Sequence, residues 1–423
     1  MKVFGFFHPY CSGGGGGERV LWKIIQNLQR HDKECVIYTI DPPTVNETEL
    51  RKDAERRFDL TIPKPIRLVH LHEYKDLLVP SPFLSLVIES IGTMRLAYQA
   101  MKRHTPDVFC DTTGCAFTFL IARWMHPQAQ LFAYVHYPTI STDMMAYEWH
   151  NTARSKLKTT IKLIYYWCFA ILYGLVGSMA DLTMVNSTWT YNHIKSLWRW
   201  AKKVDIVYPP CRVDIEDKLS NGDDGDDDNR IPTRIVSIAQ FRPEKNHRLQ
   251  IEAVALLLKK SSSASKIQMV DLLVIGSCRN PDDEQRVQEL KALTKDLGID
   301  SKVHFSINPP YEDLMKSMKS SSIGLHTMRQ EHFGIGIVEM MAAGLLVVAH
   351  NSGGPKEDIV QDRETGFLAT AAEEYAAAIE ECLEMTDSEA NEMRRNAKKS
   401  ALRFSDEAFD RSFTKSFAGY LIS

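Results

Sequence analysis

The stretch KVFGFFHPYCSGGGGGERVLWKIIQNLQRHDKECVIYTI, residues 2–40, decides the fold. Residues 2–7 are a short apolar run suited to a strand, and residues 8–17 are a loop ending in five glycines. From residue 18 to 30, Val20, Leu21, Ile24, Ile25 and Leu28 recur at the i, i+3, i+4 spacing of an amphipathic helix. Residues 35–40 are the next apolar strand. Strand, helix and strand at this spacing make a βαβ unit, the repeat from which parallel, doubly wound sheets are built.

The repeat continues outward. Strands are predicted at 107–111, 130–136, 182–186 and 205–208, with helices at 116–124 and from Ser187. A second series begins past Pro209-Pro210, with strands at 234–239, 270–276, 303–306, 323–327 and 345–350. Helices at 247–258, 281–297, 311–320 and 335–343 alternate with them, the last closed by Gly344. The sequence therefore predicts an α/β protein of two doubly wound halves joined near residues 209–213. Such sheets bind ligands beyond the carboxyl ends of their strands, and two of them facing one another would enclose a cleft.

At 423 residues the chain has room for two or three domains of roughly 150 residues each. Apolar residues at 44% and charged residues at 25% exclude a disordered bulk. The net charge, 51 − 54 = −3, lacks the basic excess of a nucleic-acid binder. Eight cysteines without a C-x-x-C pair argue against a disulfide scaffold or a structural zinc site, and suit a reducing compartment. Residues 1–7, interrupted by Lys2 and followed by His8-Pro9, do not read as a signal peptide. Residues 219–230, LSNGDDGDDDNR, read as a solvated acidic insertion rather than a metal site, because they carry no apolar periodicity to fix ligand geometry.

Residues 163–180, LIYYWCFAILYGLVGSMA, are 18 residues without a charge, preceded by the basic run Arg154, Lys156, Lys158, Lys162. Three readings are open: a helix lying in an anionic membrane surface, a buried core helix, and a membrane span. The basic flank and the aromatics favour the first, and the two glycines and bare minimum length disfavour the last.

Candidate functional residues collect at strand ends. In EHFGIGIVEMMAAG, residues 331–344, Glu331 precedes a glycine turn and Glu339 lies about one turn into the helix that follows. The helix start, with Phe333, Gly334, Ile335 and Gly336, offers free N–H groups and a positive dipole end to a diphosphate. Glu339 could accept hydrogen bonds from a ribose diol. Arg242 and Lys245 in QFRPEKN follow the strand at 234–239 and could neutralise a diphosphate leaving group. NSGGPKED, residues 351–358, is another glycine turn after a strand. His136 closes the strand at 130–136, where it could bond a substrate hydroxyl. Gly13, Gly14, Gly15, Gly16 and Gly17 make a third anion-friendly turn, but SGGGGGER fits neither the dinucleotide fingerprint nor the P-loop. Taken singly, each element could be ordinary surface or packing. Together they point to an enzyme that binds a nucleotide diphosphate and separates it from something.

The spacing of Glu331 and Glu339 within EHFGIGIVE, with PEKN at 243–246 and NSGGP at 351–355, resembles the E-x7-E signature of the retaining GT-B glycosyltransferases. More narrowly, PYCSGGGGGERVLW, YVHYPTISTDM, GSMADLTMVNSTWT, VYPPC, SIAQFRPEKNH and EHFGIGIVEMMAAG resemble the α-1,2-mannosyltransferases of asparagine-linked glycosylation. That resemblance implies two Rossmann-like domains facing a cleft. Residues 1–208 would bind the acceptor, completed by a C-terminal helix near 404–423, and residues 209–403 would bind the nucleotide sugar. It implies GDP-mannose as donor, a dolichol-diphosphate trimannosyl oligosaccharide as acceptor, and retention without a metal or other cofactor. The fourth and fifth mannoses would be added at the cytosolic face of the endoplasmic reticulum membrane, with other early mannosyltransferases as potential partners.

By the same resemblance Glu339 holds ribose, Glu331 contacts the mannosyl hydroxyls, and residues 333–336 bind phosphate and sugar. Lys245, with Arg242, stabilises the departing diphosphate; His136 contacts the donor sugar; Gly13–Gly17 lies against donor phosphates or acceptor. One departure stands out: the wider family has Gly-Arg where this chain has Ala239-Gln240, so the arginine role falls on Arg242 by inference. Such relatives usually begin with a membrane anchor, so here membrane association is expected of residues 151–180. The alternatives are another GT-B transferase with a different donor or acceptor, and a non-catalytic scaffold of the same fold.

Overall fold

The computed structural model of the chain describes residues 2–79, 84–140, 156–214, 230–260 and 266–421. Residues 151–155 of the basic run, and all of the acidic stretch except Arg230, lie outside the described residues. The chain divides into two compact units, Met1–Pro210 with Phe409–Ser423, and Cys211–Ala408.

In the first unit the strands β1 (Val3–Phe7), β2 (Glu34–Thr39), β3 (Arg67–His70), β4 (Val108–Asp111), β5 (Gln130–Val135), β6 (Leu182–Val185) and β7 (Val204–Ile206) form one parallel sheet. Its order is β3-β2-β1-β4-β5-β6-β7. The connecting helices are α1 (Gly16–Arg30), α2 (Glu47–Phe58), α3 (Ser85–Arg103), α4 (Thr118–Met125), α5 (Lys156–Gly177) and α6 (Thr188–Leu197). Strand residues alternate between two cores, as period-two geometry requires of a sheet covered on both faces. Val36 and Tyr38 of β2 pack with α3–α6, while Cys35 and Ile37 pack with α1 and α2.

The C-terminal helix, Asp406–Leu421, joins the second of these cores through Phe409, Phe413 and Phe417, spaced four apart on one face. Phe417 stacks on Phe132 of β5 with ring centroids 4.1 Å apart. Polar contacts fix its register. Asp410 meets Lys23 at 3.0 Å, Arg30 at 3.0 Å and the Asn27 amide at 3.1 Å, all on α1. Lys23 is buried, so removing Asp410 would strand a charge out of water, the costly way to break an ion pair.

The helix α5 is apolar all round but has two different faces. Phe169, Ala170, Tyr173 and Val176 are buried in the core, whereas Ile161, Ile164, Trp167, Ile171 and Leu175 face outward. These outward side chains are between 47% and 59% exposed, so they are left uncovered among the described residues. Among the described residues, Thr159–Gly177 is long and apolar enough to cross a membrane. Crossing would nevertheless tear its inner face from the core, so the core-helix and surface-helix readings each describe one side of the same element.

In the second unit β8 (Ile231–Ile238), β9 (Asp271–Gly276), β10 (Val303–Ile307), β11 (Ser321–Leu325), β12 (Leu346–His350) and β13 (Phe367–Ala369) form a parallel sheet of order β10-β9-β8-β11-β12-β13. Its helices are α7 (His247–Lys260), α8 (Pro281–Asp296), α9 (Tyr311–Ser320), α10 (Ile335–Ala342), α11 (Ala372–Glu384) and α12 (Asp387–Ala401). In both sheets the strand order reverses beside the first strand, between β1 and β4 and between β8 and β11. Ligand-binding crevices open at such switch points.

Several boundaries shift by two or three residues from the sequence reading, and one shift has a plain local cause. The first helix starts at Gly16, not Glu18, so the last two of the five glycines are helical. The cause is local: the Gly15 N–H donates to Glu18 Oε2 at 2.6 Å, closing a capping box two residues early. Two Asn-x-Thr tripeptides, residues 46–48 and 186–188, have asparagines with structural parts. Asn46 caps α2 by accepting from Glu49 N–H, and Asn186 is buried with its amide donating to the His136 carbonyl at 2.9 Å.

Candidate active site

At the switch point of the second unit two loops converge. One follows β8, residues 239–246, with a tight turn at Pro243–Lys245 and Asn246 in the left-handed region at φ 49°. The other follows β11, residues 326–334. They are tied by polar contacts. Thr327 Oγ1 donates to the carbonyl of Lys245 at 2.9 Å and accepts from the Gln250 amide of α7 at 2.9 Å. The His326 backbone is held by Val348 of β12, and its carbonyl accepts from the Tyr375 hydroxyl at 2.9 Å.

This framework brings Glu331 and Lys245 together: Glu331 Oε2 is 2.5 Å from Lys245 Nζ and 3.2 Å from His326 Nε2. Burial alone would raise the Glu331 pKa. The hydrogen bond from His326 and the charge of Lys245 overcome it and hold the carboxyl well below the usual carboxylate range. Glu331 is therefore ionised throughout the physiological range. It is an acceptor and a fixed negative charge, not a proton donor.

A third loop completes the support. After β12, residues 351–354 pass so close to residues 330–333 that side chains do not fit. A Cβ on Gly353, whose φ is +64°, would lie 2.3 Å from the Glu331 carbonyl oxygen, and one on Gly354 would lie 2.6 Å from the Phe333 carbonyl oxygen. In their place the Gly354 N–H donates to the Glu331 carbonyl at 2.8 Å, and the Gln330 N–H donates to Ser352 Oγ at 2.8 Å. His350 Nδ1 is 2.9 Å from the same hydroxyl.

Gly334 caps α10 at φ +114°, a conformation open to glycine, and the N–H groups of Ile335 and Gly336 begin the helix without carbonyl partners inside it. Phe333 is buried, and Glu339 sits half-buried in the second turn of α10. Arg242 does not join Lys245 and Glu331. Its guanidinium lines a cavity of about 260 Å³ with His247, Arg248 and Arg286, and lies 3.5 Å from Glu244.

The first unit has its own switch-point cluster. His136 follows β5, its ring 4.8 Å from that of Tyr134. A Cβ on Gly17 would be 3.7 Å from its Nε2, so His136 and the start of α1 are neighbours. Gly13 to Gly15 wrap around Glu18, which also faces His8 at 3.6 Å; His8 in turn lies 2.7 Å from Thr112 at the end of β4. Asp111 is buried beside them, its pKa pushed up to about 6 by burial against the hydrogen bonds of Thr113. Sequence reasoning missed His326, His8, Glu18 and Asp111. Each is a lone polar residue at a strand end or helix start, and only the strand order shows that it meets the others.

Two parallel α/β units with reversals of strand order at these clusters define the GT-B glycosyltransferase fold. Solved structures agree on the fold. The Anabaena protein Alr3699/HepE in complex with UDP-glucose matches with a TM-score of 0.66 at 16% identity, covering 99% of this chain and 100% of that one. The sucrose-phosphate synthase of Thermosynechococcus elongatus matches with a TM-score of 0.69 at 14% identity, covering 100% of both. Family models place the chain more narrowly: the ALG11 mannosyltransferase N-terminus matches residues 1–198, and glycosyl transferases group 1 matches residues 227–400.

Relatives named GDP-Man:Man(3)GlcNAc(2)-PP-Dol alpha-1,2-mannosyltransferase align over 98% of the chain. The one from Xenopus laevis is 43% identical with 87% of its length covered, and the one from Homo sapiens is 44% identical with 86% covered. The chain belongs to this α-1,2-mannosyltransferase family and is a glycosyltransferase.

Proposed function

We propose that the protein transfers mannose from GDP-mannose, with retention, to a dolichol-diphosphate trimannosyl oligosaccharide, adding the fourth and fifth mannoses. The reading is carried by the Lys245–Glu331–His326 constellation at the start of α10, in a chain of this family. Glu331, kept ionised, accepts hydrogen bonds from the mannosyl hydroxyls and faces the positive charge that develops at the anomeric carbon as the bond to phosphate breaks. Lys245 neutralises the diphosphate that departs, and the N–H groups at Gly334–Gly336, opening α10, bind its oxygens. This assigns the cation role to a side chain rather than to a metal ion. Glu339 holds the ribose. The acceptor proton goes to the leaving diphosphate oxygen. A carboxylate committed to two cationic or donor partners is a poor nucleophile, which favours front-face transfer over a glycosyl-enzyme intermediate.

His136 and the Gly13–Gly17 turn are assigned to the sugar and acceptor side, in the first unit. Arg242, seated with His247 and Arg286, supports the diphosphate less directly than Lys245. The reading places the reaction at the cytosolic face of the endoplasmic reticulum membrane. The outward apolar face of α5, with Lys162 in its second turn, supports that placement, since a lipid-linked acceptor brings the enzyme to a bilayer surface.

The test is turnover with GDP-mannose and a lipid-linked trimannosyl acceptor, alongside Glu331→Ala and Lys245→Ala. Near-normal turnover in both variants would overturn the site. GDP should raise the melting temperature more than UDP, and no response to either nucleotide would point to a scaffold.

A further inference from the structure

The cavity that holds Arg242 also carries basic groups that the transfer reaction does not use, His247, Arg248 and Arg286. It lies between the start of α7 and the middle of α8, has a volume of about 260 Å³, and is lined by basic groups from both helices and the loop before α7: Arg242, His247, Arg248 and Arg286. Glu289 is the single acid in the lining, and its carboxylate already accepts from Gln285 at 3.4 Å.

Arg242 lies 3.5 Å from Glu244 and Arg248 2.7 Å from Glu252, both acids outside the lining, but other polar atoms of the cluster are unmatched. Arg242 Nε, Arg286 Nε and both ring nitrogens of His247 are buried without a hydrogen-bond partner among the described residues. His247 is only 2% exposed and holds its ring against Phe241, with centroids 5.1 Å apart, while lining the cavity. Buried polar atoms left unmatched cost free energy, so four in one place need an explanation. His247 also begins a 14-residue helix, and Asn246, His247 and Arg248 at its start all line the cavity.

We infer that this cavity is an anion site for a phosphate group, held by Arg242, Arg286, His247 and the N-terminus of α7. The guanidinium groups supply charge-assisted donors in the fork geometry that suits phosphate oxygens. A neutral imidazole needs an acceptor for its N–H and a donor for its other nitrogen. At the ring nitrogen that faces it, a phosphate that keeps a hydroxyl can serve in either role, and sulfate at neutral pH only in the first. The site shares Arg242 with the donor reading but is separable from it, because Lys245 and Glu331 are not among its lining residues. Free orthophosphate and the phosphate of a phosphomonoester or lipid headgroup share this chemistry.

The experiment is calorimetric titration of the full chain, saturated with GDP, with inorganic phosphate, glycerol 3-phosphate, sulfate and chloride at matched ionic strength. Phosphate or glycerol 3-phosphate should bind at one site, more tightly than sulfate, with chloride silent. The tighter of the two identifies the source as free phosphate or headgroup. Arg286→Gln, at a half-exposed position, should keep the melting temperature and the GDP response while weakening phosphate binding roughly tenfold to a hundredfold. Lys245→Ala should bind phosphate as the parent does, which separates this site from the donor site even if GDP fails to bind. Equal binding of phosphate and chloride, or an Arg286→Gln chain that binds phosphate like the parent, would overturn the inference.

Discussion

Two glycine turns at the carboxyl ends of parallel strands, one in each unit, do opposite things. In the first unit the space that glycine leaves around residues 13–15 is filled by the chain's own side chains. A Cβ on Gly13 would lie 2.9 Å from Glu18 Oε1, and one on Gly14 would lie 2.2 Å from the Arg57 guanidinium. In the second unit the atoms that would collide with Gly353 and Gly354 are backbone carbonyls of residues 330–333. Flexible side chains can step aside and backbone cannot. The first turn is thus a helix cap with slack, and the second is a rigid brace behind Glu331. A run of five glycines advertised the former, while the two that matter more for the site were modest in sequence.

The comparison breaks most sharply at Glu331. Its replacement by Ala should lower turnover by about 10²–10³-fold, the usual cost of removing one fixed transition-state charge or donor, with the fold retained by near-ultraviolet circular dichroism. The brace comes next. Gly353→Val puts a branched side chain at positive φ against the Glu331 carbonyl and should cost about 1–3 kcal/mol in urea unfolding, and at least tenfold in turnover. If Gly353→Val turns over normally, the brace does not position Glu331. His326 follows, as a positioning residue. His326→Ala should cost about 10–100-fold in turnover, and His326→Gln, which can still donate to Glu331, should recover most of it. Equal loss in both variants would make His326 a mere packing residue.

How much of this was legible depended on how local the signal was. The βαβ rhythm, the helix starting at His247 and the Gly344 stop were all readable because each rests on spacing within a few residues. The edge strand β3, four residues of which one is buried, carries almost no apolar pattern and was not read. That Lys245 and Glu331 both lie at strand ends was readable, but their ion pair and the part of His326 were not. Nothing in GLHTM marks its imidazole as facing a carboxylate five residues on, since that depends on the loop path braced by Gly353 and Gly354. Arg242 shows the reverse case. It sits three residues from Lys245 and carries the right charge, yet the turn at Pro243–Lys245 sends the two side chains to different places.

A smaller effect separates the two regions by pH. Burial, and then the charges of Lys245, His326 and Arg286, lower the His247 pKa from 6.5 to about 4. The folded state therefore binds fewer protons than the unfolded chain across that window. The corresponding stability is fully present above pH 6.5 and is lost as pH falls toward 4. At 1.36 kcal/mol per pH unit, His247 should account for about 2 kcal/mol of the loss between pH 7 and pH 5. Glu331 has its folded pKa lowered from 4.5, so its contribution disappears only below that value and does not overlap. Urea unfolding of His247→Gln at pH 7 and pH 5 should show the shallower acid limb, and an unchanged limb would refute the assignment.

The smallest expected effect is at Gly13. Gly13→Ala asks only that the Glu18 carboxylate move by a few tenths of an ångström, at the far end of a flexible side chain. That carboxylate also accepts from the Gly15 N–H, so the helix cap is loosened but not removed, and the cost should stay below about 1 kcal/mol. Turnover should then follow stability and change little. If the turn instead lies against donor phosphates or acceptor, the added methyl meets the ligand as well as Glu18. Turnover would then fall far more than the melting temperature, with the change appearing in KM for whichever substrate the turn touches. The ratio of the two losses in one variant therefore decides whether the five-glycine turn is a cap that happens to be rich in glycine or a surface kept bare for a substrate.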